Sequence, residues 1–365
     1  MKILIAPNAF KGTIEADEAV EIISKALLEK HPCFVTECLP IADGGDGTCY
    51  LLGKVLGLQP TYIWTMNPIG RSQQGFYFLD PNTKTAYLDV STVSGIKYLN
   101  ETEKNPWVSS TYGTGELIRH AVGAGANHIV LGLGGSATVD LGLGILSALG
   151  FSFLDESGRE IPKFGDTFLQ KIKHIQRPVQ SYPLSFTLLC DVNNTFFGEE
   201  GAIPVFGPQK GLKHYDFEAF HLACQEILLA FSKKTGKAIP DQEGFGAAGG
   251  IAYGLSFFYE TQLKMGAKWF FDKVGMEEKV KWADWVITGE GKYDGQSAGG
   301  KGSYELMQLC RKYGKNCALI TSGKGLEGAG FQEVIYLPDL DFSQKDFKEK
   351  AKDNLRNAVL DFKLR

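Results

Sequence analysis

Repeatedly in this chain, an apolar run of strand length stops in a loop of glycine and acid, and a helical repeat follows. KILIAP at positions 2–7 runs into NAFKGTIEA, and Val20, Ile23, Ala26 and Leu27 then recur at helical spacing within Asp17 to Lys30. FVTECLPIA runs into DGGDGT, and Leu51, Leu52, Val55 and Leu56 stripe a helix expected over Asp46 to Gly57. Strand, loop and helix repeated in this order are the grammar of a parallel sheet covered on both faces. Glycine numbers 44 among 365 residues, well above the usual share of about 7%. So many glycines specify turns and close backbone approaches.

The pattern changes after Pro60. PTYIWTMNPIGRSQQGFYFLDPNTKTAYLDVS alternates apolar and polar residues around GRSQQG and DPNTK, which predicts an antiparallel hairpin or meander. Helix and strand return with GELIRHAVGAGANHIVLGLGG, a helix through GILSALG and a strand at FSFLDE. The middle third reads as irregular. ADWVITGEG, a helix from Ser303 to Tyr313, NCALITSG and EVIYLPD restore the parallel rhythm near the end. The expected fold is α/β in two domains. A Rossmann-like parallel-sheet domain takes residues 1–60 and 283–365, and an inserted α+β domain takes 61–282.

Composition excludes several classes. Charged residues make up 22% and the net charge is −4, with no Lys/Arg-dense stripe of the kind that binds nucleic acid. No stretch reaches the roughly 18 apolar residues of a membrane span, and MKILIAPNAF lacks a signal-peptide core. Seven cysteines stand singly, as reduced thiols would. A cytoplasmic location is expected, without nucleic-acid or membrane partners. Homo-oligomer formation is left open.

Ligands in parallel α/β sheets bind beyond the carboxyl ends of strands, so five loops are candidates. APNAFKGTIEA offers Asn8 and Lys11, the lysine as a point charge for phosphate or carboxylate or as a solvated residue before a helix. ADGGDGT offers Asp43 and Asp46 for a hard cation, with Asp46 equally suited to capping the next helix. IVLGLGGSATVD offers Ser136, Thr138 and the backbone N–H groups of the loop holding Gly134 and Gly135 to a phosphate or carboxylate. Gly132, Gly134 and Ala137 with Asp155 also match the spacing of a dinucleotide fingerprint, an alternative that implies an NAD-linked oxidoreductase. LLCDVNNTFFGEEGAIPVFGPQKG offers Asp191, Asn194, Gln209 and Lys210. VITGEGKYDGQSAGGKGSYEL offers Glu290, Asp294 and Lys301. Its G-x-x-x-x-G-K lacks the Ser/Thr of a phosphate-binding P-loop, because Gly302 stands there. FGAAGGIAYGL is expected to pack tightly on a neighbour.

Taken in order, APNAFKG, ADGGDGT, YGTGELI, GLGGSATVD, DVNN with GEEGA, FGPQKG, GAAGG, and ITGEGKYDGQ with GK resemble the bacterial type 1 glycerate kinase family over nearly the whole chain. The resemblance implies an enzyme that phosphorylates D-glycerate with ATP and Mg²⁺, built as an α/β domain from both chain ends with an α+β insertion. The chain departs from the family where Asn8-Ala9 stands for Asp-Ser, Asp46 for Glu, Val139 for Asn and Lys292 for Arg. Phosphoryl transfer needs cations against phosphate, a bridging metal, and an acid facing the hydroxyl. On that reading Asp43, Asp191 and Lys11 are the catalytic candidates. Asn8, Gly44, Gly45, Gly134, Gly135, Ser136, Lys210 and Lys301 would contact substrate or phosphate. Asp46, Glu290 and Asp294 would face the metal. A sensor that binds glycerate or a nucleotide without turnover is the third alternative.

Overall fold

The computed structural model describes residues 1–293, 302–322 and 330–362. In chain order the strands begin with β1 (Lys2–Ile5) and β2 (Val35–Cys38). They continue with β3 (Pro60–Met66), β4 (Ser72–Asp80), β5 (Thr85–Asp89), β6 (His128–Gly132), β7 (Ser152–Leu154) and β8 (His174–Gln176). β9 (Ser185–Cys190), β10 (Glu260–Met265), β11 (Trp285–Gly289), β12 (Asn316–Thr321) and β13 (Glu333–Tyr336) complete them. The chain divides into two compact units, Met1–Asp43 with Met265–Arg365, and Gly44–Lys264.

The unit formed by the chain ends holds a five-stranded sheet in the order β13-β12-β11-β1-β2, with every neighbouring pair parallel. β11 is buried along its whole length and β12 along all but its first residue. That is why WVITG and NCALIT are nearly unbroken apolar runs: helices cover both faces. Helices Ala16–Lys30 and Phe347–Asp361 lie on one face, where Ile23, Leu27, Leu355 and Val359 pack with Ile3 and Ile5. Helices Met276–Trp282 and Gly302–Lys312 pack against β1, β11 and β12.

The central unit holds a six-stranded mixed sheet in the order β10-β9-β6-β5-β4-β3. β5, β6 and β9 run parallel, and β3, β4 and β5 run antiparallel through turns at 67–71 and 81–84. A hairpin of β7 and β8 lies apart from it. Helix Tyr112–Gly123 packs on β3 and β4 and crosses helix Leu143–Ala148 closely. A Cβ on Gly115 would stand 2.6 Å from that of Ala148, so only glycine permits the crossing. The middle third, expected to be irregular, contains the 19-residue helix Phe217–Thr235. Its buried Phe220, Ala223, Cys224, Ile227, Leu228 and Phe231 form a complete helical stripe.

The breaks at Asp43 and Lys264 lie earlier than the expected limits of 60 and 282. Helix Thr48–Val55 packs on β5 and β6, and helix Gly266–Val274 packs on helices Met276–Trp282 and Gly302–Lys312. Among the described residues no helix is long and apolar enough to cross a membrane.

Candidate functional site

In the unit formed by the chain ends, β1 has β2 on one side and β11 on the other, so the strand order reverses beside β1. Such a switch point leaves a crevice beyond the strand ends. The residues there are tied by backbone bonds from Asn8 N–H to Gly289 O at 2.8 Å, Ile41 N–H to Pro7 O at 2.9 Å and Glu290 N–H to Ile320 O at 3.0 Å. The Asn8 amide donates to Asp43 Oδ2 at 3.0 Å, and its Oδ1 accepts the Ala9 N–H at 2.8 Å. A Cβ on Gly302, which opens helix Gly302–Lys312, would lie 3.7 Å from Asn8 Nδ2. Asp43 and Glu290 are each only 6% exposed, whereas Lys11 is exposed in a turn. Asn8 and Asp43 are thus brought together, and Glu290 stands on the same strand-end edge. Asp294, Lys301 and the Gly295–Lys301 segment lie outside the described residues.

In the central unit the DGGDGT and GLGGSAT loops meet. A Cβ on Gly134 would fall 2.2 Å from Gly45 C and 2.3 Å from Asp46 N, so the two backbones touch there. Gly135 has φ +70°, and its carbonyl accepts the Ile96 N–H at 2.9 Å. Thr48 Oγ1 accepts the Gly44 N–H and donates to Gly45 O, each at 3.0 Å, which closes the turn. Asp46 does not cap the helix that follows. Helix Thr48–Val55 begins beyond it with Gly47 in the left-handed region, and the Asp46 carboxylate accepts from Ser91 Oγ and lies 3.7 Å from Lys97 Nζ.

Lys210 closes this region. The 3₁₀ turn Pro208–Lys210 and Gly211, at φ +97°, aim its side chain inward, where it is 4% exposed. Its ammonium donates to Ser136 Oγ and Thr138 O, each at 2.8 Å. Burial lowers its pKa to about 7, and the Asp140 carboxylate opposes that shift. Thr138 Oγ1 is buried and, among the described residues, has no hydrogen-bond partner. A buried cation held by neutral oxygens, next to a glycine loop, is suited to an anion.

Asp191 is half-buried one residue beyond β9, on the same strand-end edge as Gly132, since β6 and β9 are parallel and in register at Gly132 and Leu189. Burial, then the Asp191 charge, pushes the neighbouring Cys190 thiol up to about 11. Asn194 braces its own loop: its amide donates to Glu200 O at 2.6 Å and its carbonyl accepts the Gly246 N–H. Gln209 is exposed.

The dinucleotide alternative fails on geometry. That fingerprint needs a helix that opens at its glycines, and here the helix after β6 begins only at Leu143. Gly134 makes room for Gly45 and Asp46, and Asp155 accepts Ser157 and Arg159 N–H groups within its own turn.

Three further acids, overlooked as site builders in the sequence, position the loops. Asp89 ends β5, is buried, and accepts the Cys49 and Tyr50 N–H groups at 3.0 Å each. It thereby caps helix Thr48–Val55 from another strand. Burial raises its pKa to about 7, against the lowering effect of those two N–H bonds. Asp140 accepts Thr111 N–H and Oγ1 at 2.8 Å and the Gly142 and Gly144 N–H groups at 3.2 Å, with its pKa raised by burial. Asp241 accepts the Phe196 and Phe197 N–H groups at 3.0 and 2.8 Å, bracing the loop after Asp191. YLDVS carries the same signal as LLCDVN, an acid closing an apolar run, and would have revealed Asp89.

Comparison with known proteins agrees with the order of the loops. The model of the glycerate kinase family matches residues 3–363. The glycerate kinase of Haemophilus influenzae is 36% identical over 86% of this chain and 84% of its own, and the glycerate 2-kinase of Escherichia coli is 33% identical over 86% and 83%. The crystal structure of the "putative glycerate kinase 2" of Salmonella typhimurium LT2 superposes with a TM-score of 0.84 at 31% identity, over 99% of this chain and 96% of that one. The chain belongs to the glycerate kinase family.

Proposed function

We propose that this enzyme transfers the terminal phosphoryl group of ATP, taken with Mg²⁺, to a hydroxyl of D-glycerate. Phosphorylation of glycerate follows from family membership. The name of the Escherichia coli relative supports the 2-hydroxyl as acceptor. The observation that carries the reading is the buried Lys210 ammonium, held by Ser136 Oγ and Thr138 O against the Gly134–Gly135 turn.

The residues fit both groups. An anion finds a desolvated cation and, among the described residues, a buried Thr138 hydroxyl without a hydrogen-bond partner. Mg²⁺ takes oxygen donors, one or two carboxylates beside phosphate and water. Asp43 and Glu290 offer carboxylates at the strand ends of one unit, and Asp46 and Asp191 offer them in the other. Among the described residues no three His, Cys, Asp or Glu side chains cluster as a ready-made metal cage. When bound, the metal supplies positive charge across the phosphate oxygens.

The chain's own groups do the rest. Lys210, Ser136 and the Gly134 and Gly135 backbone hold a carboxylate or phosphate oxygen, and Lys11 and Lys301 add charge to the same kind of contact. Gly44 and Gly45 shape the turn that carries Asp46. Asp43, oriented by the Asn8 amide, draws the proton from the attacking hydroxyl or holds that hydroxyl in line, and Asp191 is the second candidate for that role. Asp46, Glu290 and Asp294, the last outside the described residues, are the candidate carboxylates for the metal. The two compact units are read as separate domains, and the protein as cytoplasmic.

³¹P NMR of a reaction holding D-glycerate, ATP and Mg²⁺ tests this directly. A 2-phosphoglycerate resonance is expected; ATP left intact by folded protein would end the proposal. Asp43→Asn is expected to lower kcat by about 10²–10⁴-fold with an unchanged melting curve. Full activity in that variant would remove Asp43 from the mechanism.

A further inference from the structure

Strand β3 ends the central unit's sheet, with the start of helix Tyr112–Gly123 against it at Met66 and exposed side chains at Tyr62 and Trp64. Its alternation is fixed by the turn that follows it. Asn67 N–H bonds Arg71 O at 2.7 Å across the hairpin, so the backbone groups of Thr65, Ile63 and Thr61 face β4 and those of Met66, Trp64, Tyr62 and Pro60 face outward. The Met66 N–H agrees, pointing away from β4 to Glu116 Oε2 at 3.0 Å. Pro60 has no N–H to give. The outward donors left for a ladder are those of Tyr62 and Trp64, whose side chains are 59% and 70% exposed.

The edge is complementary to itself. Thr61-Tyr62-Ile63-Trp64-Thr65 reads alike in both directions by residue class. An antiparallel copy placed about a two-fold axis at Ile63 sets Tyr62 against Trp64 twice, and Thr61 against Thr65 twice. Both aromatic pairs are then hydrogen-bonded pairs, giving four backbone bonds. Moving the axis to Tyr62 or Trp64 sets an outward donor against Pro60 or against the engaged Met66. Residues 60–66 carry no charge, so two copies meet without like-charge repulsion. Between Thr61 and Thr65 the edge carries neither charge nor bulge, the devices that normally protect one, while Pro60 and the Glu116 carboxylate close its two ends. The aromatic face would extend the ring contacts that Tyr62 already makes with Phe76, whose ring centroid lies 5.7 Å away.

We propose that β3 is the self-pairing edge of a symmetric homodimer, in which Tyr62 of each copy pairs with Trp64 of the other and the two six-stranded sheets become one. The interface lies at the small end of specific contacts, about 1,000 Å² in total, so dissociation is expected at micromolar concentration. The dimer is independent of the proposed chemistry, because it uses no residue of the candidate site.

Analytical ultracentrifugation of the full chain across micromolar concentrations tests it. The wild-type protein is expected to pass from monomer to dimer across that range, and Tyr62→Lys and Trp64→Glu each to stay monomeric. The double variant Tyr62→Lys/Trp64→Glu is expected to dimerise again, since each lysine then faces a glutamate across the axis. Hydrogen exchange at the Tyr62 and Trp64 amides of the wild-type protein should slow as concentration rises, which reads the ladder without any substitution. A monomeric wild-type protein, dimeric single variants, a monomeric double variant or exchange independent of concentration would each overturn the proposal. Circular dichroism and glycerate-dependent turnover establish that every variant is folded.

Discussion

The two units use strand-end acids differently. Where the chain ends meet, the Asn8 side-chain amide donates to Asp43, and the loops around it are held by backbone bonds to Gly289, Pro7 and Ile320. In the central unit, Asp89 and Asp140 take two and three backbone N–H groups and hold the loops themselves. An acid at the end of a strand is therefore not by itself a chemical group. The main-chain donors aimed at Asp89 and Asp140 mark them as scaffold, because each such donor would be left unsatisfied and buried without its acid.

The largest expected effect breaks the scaffold. Asp140→Ala strips partners from the Thr111, Gly142 and Gly144 N–H groups and the Thr111 hydroxyl, and also removes the nearest carboxylate that favours charge on Lys210. A loss on the order of 3–5 kcal/mol in urea-measured stability is expected, with activity falling in step with the folded fraction. A normally stable Asp140→Ala would mean that water replaces the carboxylate and that the contrast between the units is false.

Lys210 inverts that expectation. Lys210→Met is expected to lower kcat/KM by about 10²–10³-fold, the cost of one charge-assisted anion contact, and to raise stability, because a buried ammonium is exchanged for an apolar chain. The pH dependence separates this from a general packing effect. With Lys210 lowered to about 7 from an ordinary 10.5, the unfolded chain holds more protons between those values, so stability rises with pH across that window. Asp89, raised to about 7 from 3.8, acts in the opposite sense. The folded chain there holds the extra proton, and stability falls as pH rises from about 4 to 7. The two groups together give a stability minimum near neutrality. Lys210→Met should flatten only its alkaline limb. An alkaline limb that survives would assign it to another group.

Much of this architecture can be read in the sequence because burial on both faces writes itself as unbroken apolar runs. KILI, WVITG and NCALIT announce their strands and DPNTK the turn after β4, whereas four of the six residues of GRSQQG belong to β4 itself. The helix Phe217–Thr235 was less visible, because exposed Leu222 and Leu229 blur the stripe that its buried residues form. In the candidate site, the glycine loops were legible and their partners were not. Nothing in the spacing of Asp46, Ser91 and Lys97 says that they meet, nor that Asp89 caps a helix some forty residues earlier. Those contacts come from the packing of helix Thr48–Val55 on β5 and β6, which sets distant loops side by side. The meeting of Gly134 with Gly45 was hidden for the same reason. A glycine required by a backbone passing close by looks, in one dimension, like a glycine required by a ligand.

The smallest expected effect tests that ambiguity at a single hydroxyl. Thr138 Oγ1 is buried and, among the described residues, has no hydrogen-bond partner, while the Lys210 ammonium takes the Thr138 carbonyl. A buried hydroxyl without a partner costs free energy, so if it belonged only to the scaffold, Thr138→Val should be neutral or stabilising by roughly 1 kcal/mol with kinetics unchanged. If the hydroxyl waits for an anion, stability should behave in the same way while KM for glycerate or for ATP rises several-fold at constant kcat. A rise in one KM alone would also say which of the two anions Lys210 receives, and no rise in either would return the GLGGSAT loop to the scaffold, beside Asp89 and Asp140.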